Sequence, residues 1–497
     1  MEISLDQKNI SCRKEVFRQT KMIQEHADFI VPDRYEDIAK LAFTEIQLLL
    51  KGKDLTSHGA SVNGSAEINL FYIAEGLERL RCVSLVKDFT VDFDSDAVTA
   101  DSVLQASIVS QGVQTRLVNS RKIALQLAIN VELTAWTEDV FPLSVQIDSN
   151  EENGMQLLWD KKSCMLTTEV SEKTFVISEQ IPLPSDESVT QIVCSHAELV
   201  CYEHQMIGSK LLLKGGAELR IGYETESSLL PQFSAQCIPF SVLVDSPGED
   251  VDIGSVILQP TALYATLADA VNGSKVVEAE IHAVAQISFC AEKEMTYLSD
   301  AFSTRFPLQR EEKALSVCSS RRRETHSAAA EEQSDSDETA YSIVAQRGEL
   351  LSYAIRDGKA VASAVISGVL RAEDGSLSVS QKLLSFEMQM PDDCCELSQA
   401  RLLSYEVRTE QNRISFSAEI QFDFDTFDYA ELCAISSILL DTDNAYSLTG
   451  LPALTLTRQK NESVWELAKR YHTSVAAIEE MSGKYELPPH ILLIPRS

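Results

Sequence analysis

Residues 64–94 read GSAEINLFYIAEGLERLRCVSLVKDFTVDFD, and residues 215–245 read GGAELRIGYETESSLLPQFSAQCIPFSVLVD. At a constant offset of 151, without gaps, 8 of the 31 positions are identical. Average composition would give roughly two. The matches include Gly64/Gly215, Tyr72/Tyr223, Phe89/Phe240 and Asp94/Asp245. A fainter third copy sets Val369 and Phe386 at the separation of 17 that divides Tyr72 from Phe89. Aromatic residues that recur with strand spacing are core residues before they are anything else, and a repeat of this length makes the chain a series of related modules.

The stretches that follow each copy give the modules their secondary structure. In residues 123–135 the positions Ile123, Leu125, Leu127, Ile129, Val131 and Leu133 are apolar, with Gln126, Asn130, Glu132 and Thr134 between them. Alternation of period 2 marks a long, half-buried strand. Ile414, Phe416, Ala418, Ile420, Phe422 and Phe424 alternate with Ser415, Ser417, Glu419, Gln421 and Asp423 in the same way, and residues 277–289 are a less regular third case. Each run follows a turn signal, at 118–120, 271–273 and 410–412. Keeping the inward face aligned between the first two copies requires a one-residue insertion at the turn. The expected fold is mainly β, built from tandem antiparallel modules.

The 497 residues correspond to about three domains, and 44% hydrophobic content is enough to build their cores. With 43 Lys and Arg against 75 Asp and Glu, the net charge is −32. Such a surface repels phosphate backbones and anionic lipid heads, which argues against general nucleic-acid or membrane-surface binding. No apolar run approaches the roughly 20 residues of a membrane span, and the mixed-charge N-terminus has no secretion-signal h-region. Eleven cysteines without a CxxC pair point to a reducing compartment, with most of them acting as small core residues. Residues 309–339 are nearly free of large apolar groups, and the Arg321-Arg322-Arg323 triplet lies among acidic residues. This composition predicts a flexible, solvated linker.

The last 45 residues differ from the rest. Arg458, Lys460, Lys469, Arg470, Lys484 and Arg496 outnumber Glu462, Glu466, Glu479, Glu480 and Glu486, so this segment carries +1 and the preceding chain −33. A short strand at 454–457 is followed by Ser463-Val-Trp-Glu466, a capping box. Val464, Leu467, Ala468 and Tyr471 form a helical stripe. Thr473 or Ser474 caps a second helix with Val475, Ile478 and Met481 inward and a stop at Gly483, and residues 491–494 form a last strand. The order is β-α-α-β.

This segment resembles a LysM domain at Trp465, Leu467, Ala468, Tyr471, Ile478 and Leu493-Ile494-Pro495. It departs from the family pattern in the loops that often hold glycan, with Asn461-Glu462-Ser463 and Pro488-Pro489-His490 in place of the glycine-bearing forms. The earlier modules resemble the SPOCS domain of sporulation proteins through IVPDRYEDIAKL at 30–41, the following strand and the RKI turn at 121–123, with degenerate equivalents at 183–193. The resemblance implies SPOCS-like modules at 1–145, 160–305 and, degenerate, 341–446, a linker at 309–339 and a LysM-like domain at 453–497. It further implies a spore coat morphogenetic scaffold in the mother-cell cytoplasm at the forespore surface. Its tail would recruit a coat ATPase of the SpoIVA type, alongside other coat proteins. The partner- or glycan-binding residues implied are Lys460, Asn461, Glu462, Ser463, Trp465, Pro489 and His490. Trp465 can equally serve as a cover for the helix stripe.

No P-loop, HExxH, GxSxG or GxGxxG signature is present, so neither an enzyme nor a cofactor is expected. Cys194-x-His196 and Cys201-x-x-His204 have zinc-ligand types, but their gaps match no known finger and they read as ordinary strand residues. A protein-recruiting adaptor is the leading expectation. A peptidoglycan or N-acetylglucosamine-polymer binder is the alternative.

Overall fold

The structure, a computed structural model, describes residues 2–3, 5–76, 79–147, 153–183, 189–226, 228, 230–270, 275–335, 341–391, 395–410, 413–447, 454–458, 462–484 and 491–495. It is mainly β, and a six-strand unit occurs three times. The first unit holds β2 (Leu5–Ile30), β3 (Ile38–Thr56), β4 (Gly59–Ala74), β5 (Leu80–Asp94), β6 (Val103–Asn119) and β7 (Lys122–Ile147). The second holds β8 (Met155–Pro182), β9 (Val189–Ile207), β10 (Lys210–Thr225), β11 (Gln232–Asp245), β12 (Asp252–Asp269) and β13 (Lys275–Ser303). The third holds β14 (Leu308–Asp335), β15 (Tyr341–Arg356), β16 (Lys359–Ala372), β17 (Leu377–Gln389), β18 (Cys395–Glu410) and β19 (Arg413–Leu440), with β1 (Glu2–Ile3) added to β19. In each unit strands two to four form a meander. The last strand lies at the centre of a second sheet, between the first strand and the fifth.

The alternating strands are these centres. Leu127, Ile129, Val131 and Leu133 of β7 pack on Ile46, Leu48, Ile68 and Val91 of the meander. Val277, Ile281 and Phe289 do the same in the second unit, and Phe416, Ile420 and Phe424 in the third. Tyr72, Tyr223, Phe89 and Phe240 are buried, as are Val369 and Phe386. Gly64 and Gly215 face Phe89 and Phe240 across the sheet. A Cβ on either glycine would collide with that ring.

The segment expected as a linker is instead β14, paired with β19 from Leu308 to Asp335, so the third module starts at Leu308 rather than at residue 341. Residues 336–339 lie outside the described residues. A strand at the edge of a sheet needs no large apolar groups when its neighbour supplies them, because its backbone is satisfied by the ladder and small residues fill the inner face. Ala328 and Ala330 pack against the third core. The arginine triplet is not a solvated run either. Arg321 and Arg323 both reach the buried Asp425 at 3.0 Å, and Arg321 stands 5.3 Å from the Phe427 ring.

The modules share their irregularities. One extra residue bulges from the second strand at Ala42, Val193 and Val344, at intervals of 151. Another bulges from the first strand at Val16, Thr168 and Ser319. Bulges re-aim side chains, and here they bring the outer faces of the three meanders together. Phe43, Phe71, Cys194, Ala345 and Val369 form one cluster drawn from all three modules. The far halves of the long first and last strands meet in a second one, made of Cys12, Cys164, Tyr297, Val317 and Leu432. Contacts run cyclically, with β3 on β12, β15 on β6, and Arg220 of β10 donating to Tyr405 of β18 at 2.9 Å. The body is a single chain closed about a pseudo-threefold axis.

Replacing Gly215 by Ala should cost roughly 1–3 kcal/mol in thermal or urea unfolding, as overpacking does. The same change at Gly248, where a Cβ meets nothing within 4 Å, should be nearly neutral. Equal effects at the two positions would contradict the packing described.

Candidate functional site

The C-terminal unit consists of β20 (Leu454–Arg458), α1 (Val464–Tyr471), α2 (Val475–Gly483) and β21 (Ile491–Pro495), in which β20 pairs antiparallel with β21. Ser463 caps α1 in a capping box. The Glu466 amide donates to Ser463 Oγ at 3.2 Å, and the Ser463 amide donates to Glu466 Oε2 at 2.8 Å. Ser474, rather than Thr473, caps α2. Leu467, Ala468, Ile478 and Ile494 form the small core, with Val464, Tyr471 and Val475 around it.

This core continues into the second module through Phe302 of β13. The Trp465 ring meets Phe302 edge to face at 4.9 Å, and its Nε1 donates to Asp300 Oδ2 at 2.8 Å. Lys469 Nζ reaches both Asp300 oxygens at 2.8 and 2.9 Å, and Arg310 of β14 contacts the same carboxylate. Burial, followed by the charge of Arg310, lowers the Lys469 pKa. His472 stacks on Tyr446 at 3.8 Å between ring centres. Trp465 is therefore both a cover for the helix stripe and an anchor, and its seat lies within the same chain. Asp300 follows a bulge at Ser299, and nothing in the local sequence period marks it.

Of the other expected site residues, Ser463 spends its hydroxyl on the cap and Glu462 pairs with Arg470. Lys460, Asn461, Pro489 and His490 lie outside the described residues.

The Cys194, His196, Cys201 and His204 group does not come together. His204 pairs with Leu213 toward solvent, and a bulge at Tyr202 separates it from Cys201. Among the described residues no group of three or more His, Cys, Asp or Glu is arranged to hold a metal. Cys194 and His196 belong to the axis. Glu45, His196 and Arg347 each lie three residues after the shared bulge, and Glu45 meets Arg347 at 3.4 Å. The next inward-facing positions are Gln47, Glu198 and Glu349. Gln47 accepts the Ala197 amide at 2.7 Å, which fixes the first module on the second. Burial pushes the His196 pKa well down, aided by Arg220 and Arg347, and burial pushes Glu349 up to about 7, opposed by Arg347.

The folded body thus holds a proton on Glu349 that the unfolded chain releases near 4.5. Stability from this group is complete below about pH 4.5 and is lost as pH rises through 7. Glu349→Gln keeps the neutral form, so its melting temperature should exceed the native one most above pH 7, by no more than about 3 kcal/mol in stability, with the gap shrinking toward pH 4.5. A gap independent of pH would contradict the assignment. In the seat, Asp300→Ala removes a charged hydrogen-bond hub worth roughly 1.5–3 kcal/mol. Amide exchange in α1 should accelerate about ten- to a hundredfold while β7 stays protected, and unchanged exchange in α1 would show that Asp300 does not hold the tail.

No family model, no curated protein and no solved structure matches the chain.

Proposed function

We propose that this chain is a non-catalytic adaptor of the spore coat, in which the three β modules form a rigid body and the C-terminal unit recruits a coat ATPase of the SpoIVA type to the forespore surface. The observation that carries the reading is the joining of three copies of one β module to a compact β-α-α-β tail of a different kind. The sequence of the copies resembles SPOCS domains, and that of the tail resembles a LysM domain. Charge favours the tail as the contact, because it carries +1 on a body of −33 and an acidic surface of a partner is repelled everywhere else. Trp465 and Lys469 are turned toward Asp300, which leaves the exposed face bearing Ser463, Glu466 and Arg470 toward a partner. The Ser463 hydroxyl is engaged in the helix cap, and this weighs against its use in a glycan groove.

Removing residues 450–497 should reduce recovery of the ATPase with the purified chain about tenfold or more while the body remains folded. Undiminished recovery would overturn the reading. Saturable binding of chitin or muropeptide oligomers by the tail would favour the glycan alternative.

A further inference from the structure

The three modules have diverged at one seam. Each is a sandwich whose first strand and fourth strand are both sheet edges, lying side by side. In the first module side chains bridge this seam: Lys21 Nζ donates to the Asp92 carbonyl at 2.6 Å, and Lys87 meets Glu25 at 3.3 Å. The ladder registers place Ile177 and Ile238 of the second module at the positions of Glu25 and Lys87, and Lys173 at that of Lys21. Without the Glu25–Lys87 ion pair, a groove of about 410 Å³ opens between β8 and β11, lined by Lys173, Phe175, Ile177, Ile238, Val242 and Leu243.

The two edges of this groove are not equivalent. Proline lacks the amide that a new strand would need, and β11 carries Pro239 on its edge. The β8 edge reads Lys173-Thr-Phe-Val-Ile-Ser-Glu179, with five uncharged residues and neither Pro nor Gly between its ends. Val176 at its midpoint is 52% exposed. Among the described residues neither Lys173 nor Glu179 has an ion-pair partner. Edges this bare are templates for another strand.

The charges identify that strand. If β8 pairs antiparallel with its own copy, centred on Val176, then Lys173 stands opposite Glu179 of the second copy. Thr174 then faces Ser178, and Phe175 faces Ile177. Every pair is complementary, and both ends of the ladder close with opposite charges, the arrangement that stabilises directly opposed cross-strand pairs. We propose that the β8 edge is a self-pairing surface, joining two copies of the chain about a twofold axis into a continuous sheet ordered β12-β13-β8-β8-β13-β12. A twofold interface uses the same patch on both partners, and the palindromic charge of 173–179 supplies such a patch.

Sedimentation or light scattering of the full chain over a concentration series tests this directly. The native protein should approach twice its 55.0 kDa mass. Lys173→Glu alone, and Glu179→Lys alone, place like charges opposite each other and should weaken the dimer about tenfold or more. The double variant restores opposite charges and should recover the dimer. These positions are exposed in the single chain, so all three variants should fold as the native chain does. A native protein that stays at the monomer mass, single variants that dimerise as well as the native chain, or a double variant no better than the singles would each overturn the proposal.

Discussion

A strand with a polar sequence becomes ordered only when its backbone hydrogen bonds go to a neighbour that is itself buried. That constraint organises this molecule. In every module the last strand carries the apolar alternation and the first strand is laid along it over 26 residues or more, and in the third module that first strand has few large apolar groups of its own. The last strand is therefore the beam of each module. It contributes one face to the sandwich core, holds the first and fifth strands by its two edges, and extends beyond the sandwich to meet its counterparts from the other modules.

Closure about the axis follows from the bulges. Without the extra residue at Ala42, Val193 and Val344, the side chains beyond it would exchange faces, and Glu45, His196 and Arg347 would point into the sandwich cores. With it, one acid, one imidazole and one guanidinium meet at equivalent positions. Buried charge is tolerated when it is paired. Three identical residues at these positions would bring like groups together, so their divergence suits a ring made from one chain. The seam of the second module shows the same logic on the outside, where Ile177 and Ile238 replace the bridging pair Glu25 and Lys87. The repeat keeps the frame and varies what each face presents.

The parts legible in the sequence were those with a local period. The alternating strands, the recurrent aromatic residues and the capping box at Ser463 all report one element and one buried face. The one-residue insertion expected at the turn falls on residues 271–273 in the second copy, which lie outside the described residues, and the shared bulges left no trace in the alignment because they recur at a constant interval of 151. What escaped depended on neighbours distant in the chain. The polarity of residues 308–335 describes only the solvent side of an edge strand, while the pairing that orders it comes from β19 about a hundred residues later. Asp300 gains its role only when Trp465, Lys469 and Arg310 close around it. Cys194 and His196 invited comparison with a metal site because burial among polar groups and metal ligation use the same residue types.

The most direct test of the closed body is the coupling between Glu45 and Arg347, which are 302 positions apart in sequence and 3.4 Å apart in space. A double-mutant cycle with Glu45→Ala and Arg347→Ala in urea unfolding should give an interaction energy of roughly 1–3 kcal/mol. Strict additivity of the two substitutions would mean that the first and third modules do not meet at the axis, and the threefold arrangement would be wrong.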